Sequence, residues 1–190
     1  MIVYLHGFNS APGSHKAGAL LAYMEARGLG GRFACPALPH RPQEALRCIE
    51  GELARHAGQR ITLVGSSLGG FYATWLAERR DLRAVLINPA ITPHIGLQAY
   101  LGPQRNLYTG QEYELTRADL EGWRTLAVER VDPERYLLLL ETGDEVLDWR
   151  EAATKYEGAR MAIRFGGDHT LRSFLEHLPR VLCFAGLSAA

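Results

Sequence analysis

Ile61-Thr62-Leu63-Val64-Gly65-Ser66-Ser67-Leu68-Gly69-Gly70 is the stretch whose reading decides the fold. Its first four residues form a short apolar, β-branched run, the signature of a strand buried on both faces. Gly65 to Gly69 then fit the pattern G-x-S-x-G with Ser67 at the centre. Ser66 does not fit, because Val64 and Leu68 stand where the glycines would be. Leu68, Phe71, Tyr72, Trp75 and Leu76 follow at helical spacing, so the segment reads strand, tight turn, helix. The turn is tight, so the residues beside Ser67 must be small. Its hydroxyl then stands exposed at a helix N-terminus, whose N–H groups favour developing negative charge.

On both sides the chain keeps alternating. Ile2-Val3-Tyr4-Leu5, the weaker Phe33-Ala34-Cys35, Ala84 to Ile87, Leu137 to Leu140 and Met161 to Phe165 read as further strands. Between them lie helical periods. One carries Ala17, Leu20, Leu21 and Met24 and stops at Gly28; another starts at Pro42 and ends at Gly58. Asp148 and Glu151 resemble the start of a third. The last uses Leu171, Phe174, Leu175 and Leu178, with Pro179 expected to kink or divide it. Strands that alternate with helices imply α/β architecture, with about six mainly parallel strands and helices on both faces. Residues 1–190 are expected to form one domain. Only 91–132 breaks the alternation, with Tyr100, Tyr108, Tyr113 and Trp123 among Gly, Pro and Gln. It reads as a lid-like insertion over the strand ends, partly helical from Thr116.

Parallel sheets place their ligands at the carboxyl ends of the strands, so the partners of Ser67 are sought there. A serine hydroxyl needs a base, and the base needs an orienting acid. Of seven histidines, only His169 and His177 follow a later strand. His169 lies in Gly166-Gly167-Asp168-His169, just past a strand, whereas His177 falls inside the last helix. His169 is therefore the expected base. The acid is expected in Thr142-Gly143-Asp144-Glu145-Val146-Leu147-Asp148, at Asp144. Asp148 is the reserve, with a competing role as a helix N-cap, and Glu145 is expected to reach solvent. Asp168 reads as a loop-shaping residue. The backbone N–H groups of Leu68 and Phe8 are the expected oxyanion donors, Phe8 following the turn at His6-Gly7. His6 is expected to tie its own loop in place.

These pieces resemble the α/β-hydrolase superfamily, and more closely the small YqiA-type esterases. The resemblance rests on YLHGFNSAPGSHKA at the start, GSSLGGFYA at the turn and NPA after the next strand. It continues through YLGPQRNLYTGQEYELT in the insertion, GDEVLD at the acid and GGDH at the base. It implies a compact α/β-hydrolase fold and a catalytic triad of Ser67, Asp144 and His169. It also implies cleavage of acyl esters or acyl-thioesters through an acyl-enzyme, with no cofactor or metal. A non-catalytic binding domain on the same fold is the rival, since fold alone does not establish function.

Composition narrows the rest. Lys plus Arg and Asp plus Glu are both 21, so the formal net charge is zero, without the basic surplus of phosphate-backbone binders. Nucleic acid is therefore not an expected partner. No run approaches the ~20 apolar residues of a membrane helix, and MIVYLHGFNS lacks the basic start of a signal peptide. Cys35, Cys48 and Cys183 are odd in number and widely spaced, so they read as small buried thiols in a reducing cytoplasm. The expected partner is a small acyl ester or thioester.

Overall fold

The computed structural model describes residues 1–187. The main sheet contains β1 (Ile2–Leu5), β2 (Phe33–Ala34), β3 (Thr62–Ser66), β4 (Arg83–Ile87), β7 (Tyr136–Glu141) and β8 (Arg160–Arg164). They lie in the order β2-β1-β3-β4-β7-β8, and every neighbouring pair is parallel. Successive residues of a strand face opposite sides, which is why two cores form. Leu63, Leu86 and Leu138 pack under α2 (Pro42–Arg55), α3 (Leu68–Arg80), α5 (Arg117–Arg124) and α6 (Trp149–Lys155). Val64, Ile87 and Leu139 pack under α1 (His15–Glu25) and α7 (Phe174–Phe184). This is the α/β-hydrolase arrangement the motifs imply. The chain runs outward from β1 to β2 and then returns to β3 on the other side of β1. The loops after β1 and β3 therefore diverge and leave a crevice between them.

The 91–132 segment holds the short helix α4 (Pro93–Gly96), strands β5 (Gly102–Arg105) and β6 (Glu112–Leu115), and α5. Helix begins just after Thr116, as expected, because Thr116 and Asp119 form a reciprocal capping box. The antiparallel β5–β6 hairpin is not foreshadowed by the sequence. Gly102-Pro103-Gln104-Arg105 has no β-branched or aromatic residue, and its pairing with β6 supplies the order.

Four further details depart from the expectation, the first being that Cys35 and Cys48 are only half-buried and Cys183 is exposed. β8 ends at Arg164 rather than Phe165, and Phe165 is 90% exposed at the open edge of the sheet. α7 starts at Phe174; Leu171 precedes it in the left-handed region, and Leu175 points outward. Pro179 does not divide α7. It lies on the exposed side, where water can serve a carbonyl that proline leaves unbonded. Among the described residues, no helix is long and apolar enough to cross a membrane.

Candidate active site

Ser67 sits between β3 and α3 at φ 53° and ψ −120°, a conformation that non-glycine residues rarely adopt. The surroundings hold it there. Its N–H donates to the Ile87 carbonyl at 3.0 Å, and its own carbonyl accepts from Gly70 and Ala90. A Cβ on Gly69 would overlap the Leu5 carbonyl, so α3 can approach β1 only through glycine.

His169 reaches this turn from the loop after β8. Its Nε2 lies 3.1 Å from Ser67 Oγ, and its Nδ1 lies 2.8 Å from Asp144 Oδ2 and 3.0 Å from Oδ1. The Asp144 side chain is 2% exposed, and its Oδ1 also accepts the N–H groups of Val146 and Leu147. Three residues from three separate loops thus form one hydrogen-bonded line. Asp148 is elsewhere, capping α6 by accepting the Arg150 N–H. His177 lies in α7 beside Ser173. Glu145 is exposed, as expected, and its Oε2 also accepts the His169 N–H at 3.0 Å.

The histidine loop has a support that the sequence reading missed. Glu141, the last residue of β7, is fully buried. Its carboxylate accepts the N–H groups of Asp168, Arg172 and Ser173 at 2.8–3.0 Å, and the Ser173 hydroxyl at 2.6 Å. Burial alone would raise this carboxyl. The Ser173 hydroxyl and the backbone donors outweigh it, and the group is held below its ordinary value. Gly167 lies against the carboxylate at φ 74°, leaving no space for a side chain. Asn88 closes the structure: its Nδ2 donates to the Asp168 and His169 carbonyls, and its Oδ1 accepts the Glu141 N–H. A charged residue at the end of a wholly apolar strand is the one sequence signal that marks Glu141.

On the other side, a Cβ on Gly7 would lie 3.2 Å from Ser67 Cβ, so the backbone leading into Phe8 passes directly over the Ser67 turn. Leu68 is the first residue of α3, and its N–H has no intrahelical acceptor. His6 is 4% exposed; its Nε2 accepts from the Leu38 N–H at 3.0 Å, and Nδ1 lies 3.1 Å from the Gly7 carbonyl. Burial lowers its pKa, in keeping with a neutral ring that ties the loop.

The hairpin is fastened to this same loop. Tyr113 Oη donates to Asn9 Oδ1 at 2.6 Å, the Leu107 N–H to the Asn9 carbonyl, and Asn106 Nδ2 to the Ser10 carbonyl. The insertion's aromatic residues divide between roles. Trp123 is wholly buried and donates to Tyr72 Oη, so it is core. Tyr100 meets Phe8 edge to face, and Tyr113 stacks on His40. Two cavities flank Gly7 and Phe8. One, of about 320 Å³, is lined by Leu38, Leu68, Tyr72 and Tyr113; the other, of about 520 Å³, contains Ser67 and His169.

The sequence matches, over residues 1–186, the family described as Uncharacterised protein family (UPF0227). The chain belongs to that family. UPF0227 protein YcfP of Salmonella gallinarum (strain 287/91 / NCTC 13346) is 25% identical over 189 residues, covering 98% of this chain and 99% of YcfP. The UPF0227 fold also resembles solved structures. Mouse alpha/beta hydrolase domain-containing protein 10 superposes with a TM-score of 0.74 at 16% identity, covering 98% of this chain and 90% of the mouse chain. Monoacylglycerol lipase of Paleococcus ferrophilus superposes with a TM-score of 0.69 at 17% identity, covering 98% and 94%. At these identities the likeness is one of fold, and that fold is the α/β hydrolase.

Proposed function

We propose that this UPF0227 protein is a serine hydrolase that cleaves carboxylic esters through an acyl-enzyme. The observation that carries the reading is the Ser67–His169–Asp144 line, 3.1 Å and 2.8 Å at its two joints. A binding domain has no use for a strained serine aligned with a buried histidine–carboxylate pair. The fold shared with a monoacylglycerol lipase is consistent with ester chemistry. In this reading residues 1–190 are one domain, and 91–132 forms a cover fastened to the oxyanion loop.

Ser67 Oγ attacks the acyl carbon as His169 Nε2 takes its proton. The carbonyl oxygen becomes an oxyanion and accepts the N–H groups of Phe8 and Leu68. Asp144 holds the Nδ1–H tautomer and stabilises the imidazolium. The tetrahedral intermediate expels the alcohol, which receives the proton from His169. Water then attacks the acyl-enzyme, giving its proton to His169, and the carboxylic acid leaves as the proton returns to Ser67. A thioester follows the same path with a thiol as leaving group. None of these steps calls for a metal or an organic cofactor. The test is hydrolysis of short acyl esters. Ser67→Ala is expected to lower kcat/KM by about 10⁴-fold or more while remaining folded. Equal turnover by the purified variant overturns the assignment.

A further inference from the structure

The two cavities beside Phe8 differ in chemistry, and the difference bears on the substrate. His169 must hand its proton to the departing oxygen, so the alcohol half of the substrate lies on the His169 side. That is the cavity of about 520 Å³, and none of its described lining residues is a carboxylate. Lys16, Arg172 and His15 line it instead. The smaller cavity differs in holding a carboxylate, Glu44, and other polar residues beside Phe8, Leu68, Tyr72 and Tyr113.

The alcohol-side cavity also meets the N-terminus of α1, an eleven-residue helix. The first intrahelical bond there runs from the Gly18 N–H to the Ser14 carbonyl, so the N–H groups of His15, Lys16 and Ala17 have no intrahelical acceptor. Ser14 occupies the N-cap position but makes no capping bond, and the first turn has no acidic residue. Ser14 is 8% exposed, and its Oγ is buried with no hydrogen-bond partner, in a residue that lines this cavity. A buried hydroxyl without a partner is costly, and its own helix N–H groups are the usual remedy. Lys16 Nζ uses one of its three donors, on the Thr170 carbonyl at 2.9 Å. Burial lowers the Lys16 pKa, while Asp168, Asp144 and Glu141 oppose that shift. Those carboxylates are already engaged: Asp168 by Arg172, Asp144 by His169, and Glu141 by the histidine loop.

Resting on the hydrolase reading, we infer that the substrate is an ester or thioester whose leaving group carries an anion, a phosphate or a carboxylate, held by the α1 N-terminus, Ser14 and Lys16. An anion at that point accepts from the free helix N–H groups, from Ser14 Oγ and from the ammonium, and the macrodipole favours it.

The test compares butyl butyrate with the butyrate esters of 2-hydroxyethyl phosphate and of 3-hydroxypropanoate, acid release being followed by titration. The wild-type protein is expected to give kcat/KM at least about tenfold higher for one anionic ester than for the neutral one, the better of the two identifying phosphate or carboxylate. Lys16→Gln should reduce that ratio about tenfold. Ser14→Ala should also reduce it while keeping the wild-type melting temperature, because Ser14 makes no capping bond to lose. A ratio near one in the wild-type protein, or equal losses on neutral and anionic esters in Lys16→Gln, overturns this inference and leaves the hydrolase reading standing. A folded sample that turns over none of the three esters overturns both.

Discussion

The serine turn and the histidine loop are fixed by opposite means. The turn at Ser67 is held by missing side chains: Gly65, Gly69 and Gly70 let α3 settle against β1 and Pro89. The loop at His169 is held by one polar side chain, the buried Glu141 carboxylate, with Asn88 as its brace. Close packing leaves the serine few alternatives, since any shift drives backbone into backbone. The carboxylate fixes its loop by direction, because each N–H can be satisfied only in one place. The first device tolerates no added atoms, and the second tolerates no lost charge.

The sharpest way to probe the loop side is at the acid. Asp144→Asn should keep the geometry but favour the wrong imidazole tautomer, lowering kcat by about 10⁴-fold. Asp148→Asn, which keeps the helix-cap acceptor and removes only a charge, should leave kcat within about twofold, since Asp148 caps α6 and Asp144 is the carboxylate that meets His169. Equal losses in both would undo the assignment of the acid. Next in size is Glu141→Gln. The amide turns donors toward the N–H groups of the loop, at a cost of about 3 kcal/mol in stability. It should also misplace His169 enough to lower kcat/KM about 10²-fold, with Ser67 still in place. Denaturant melts and steady-state rates check the two halves.

Glu141 also predicts a pH dependence. Its folded pKa lies below the ordinary 4.5, so its contribution is present above that value and lost as pH falls through the folded pKa. Stability measured downward from pH 5 should therefore fall more steeply in the wild-type protein than in Glu141→Gln. Parallel curves would show that the clamp carries no such linkage. The smallest effect belongs to the insertion. Thr116→Ala removes the capping box of α5 and should lower stability by about 1 kcal/mol, with rates on neutral esters within about twofold.

The same contrast explains what could be read without coordinates. Glycine spacing, apolar runs and a serine between strand and helix are local patterns, so β3, the turn and α3 were legible from ten residues. His169 was legible because it follows a strand at the ligand-binding end of the sheet. Glu141 was not, because its role depends on donors 27–32 residues away. The hydrogen bond from the His169 N–H to Glu145 was not legible for the same reason, since it joins two separate loops. The β5–β6 hairpin escaped detection because Gly102 to Arg105 has no strand preference of its own; Asn9 and Ser10, about a hundred positions away, hold the hairpin in place.

The central claim is that Ser67 is an activated nucleophile. Treating the purified protein with a fluorophosphonate and mapping the adduct by peptide mass spectrometry tests it most directly. The account predicts one adduct, on Ser67, that disappears in His169→Ala. A folded protein that stays unlabelled, or that labels equally well without His169, would contradict it.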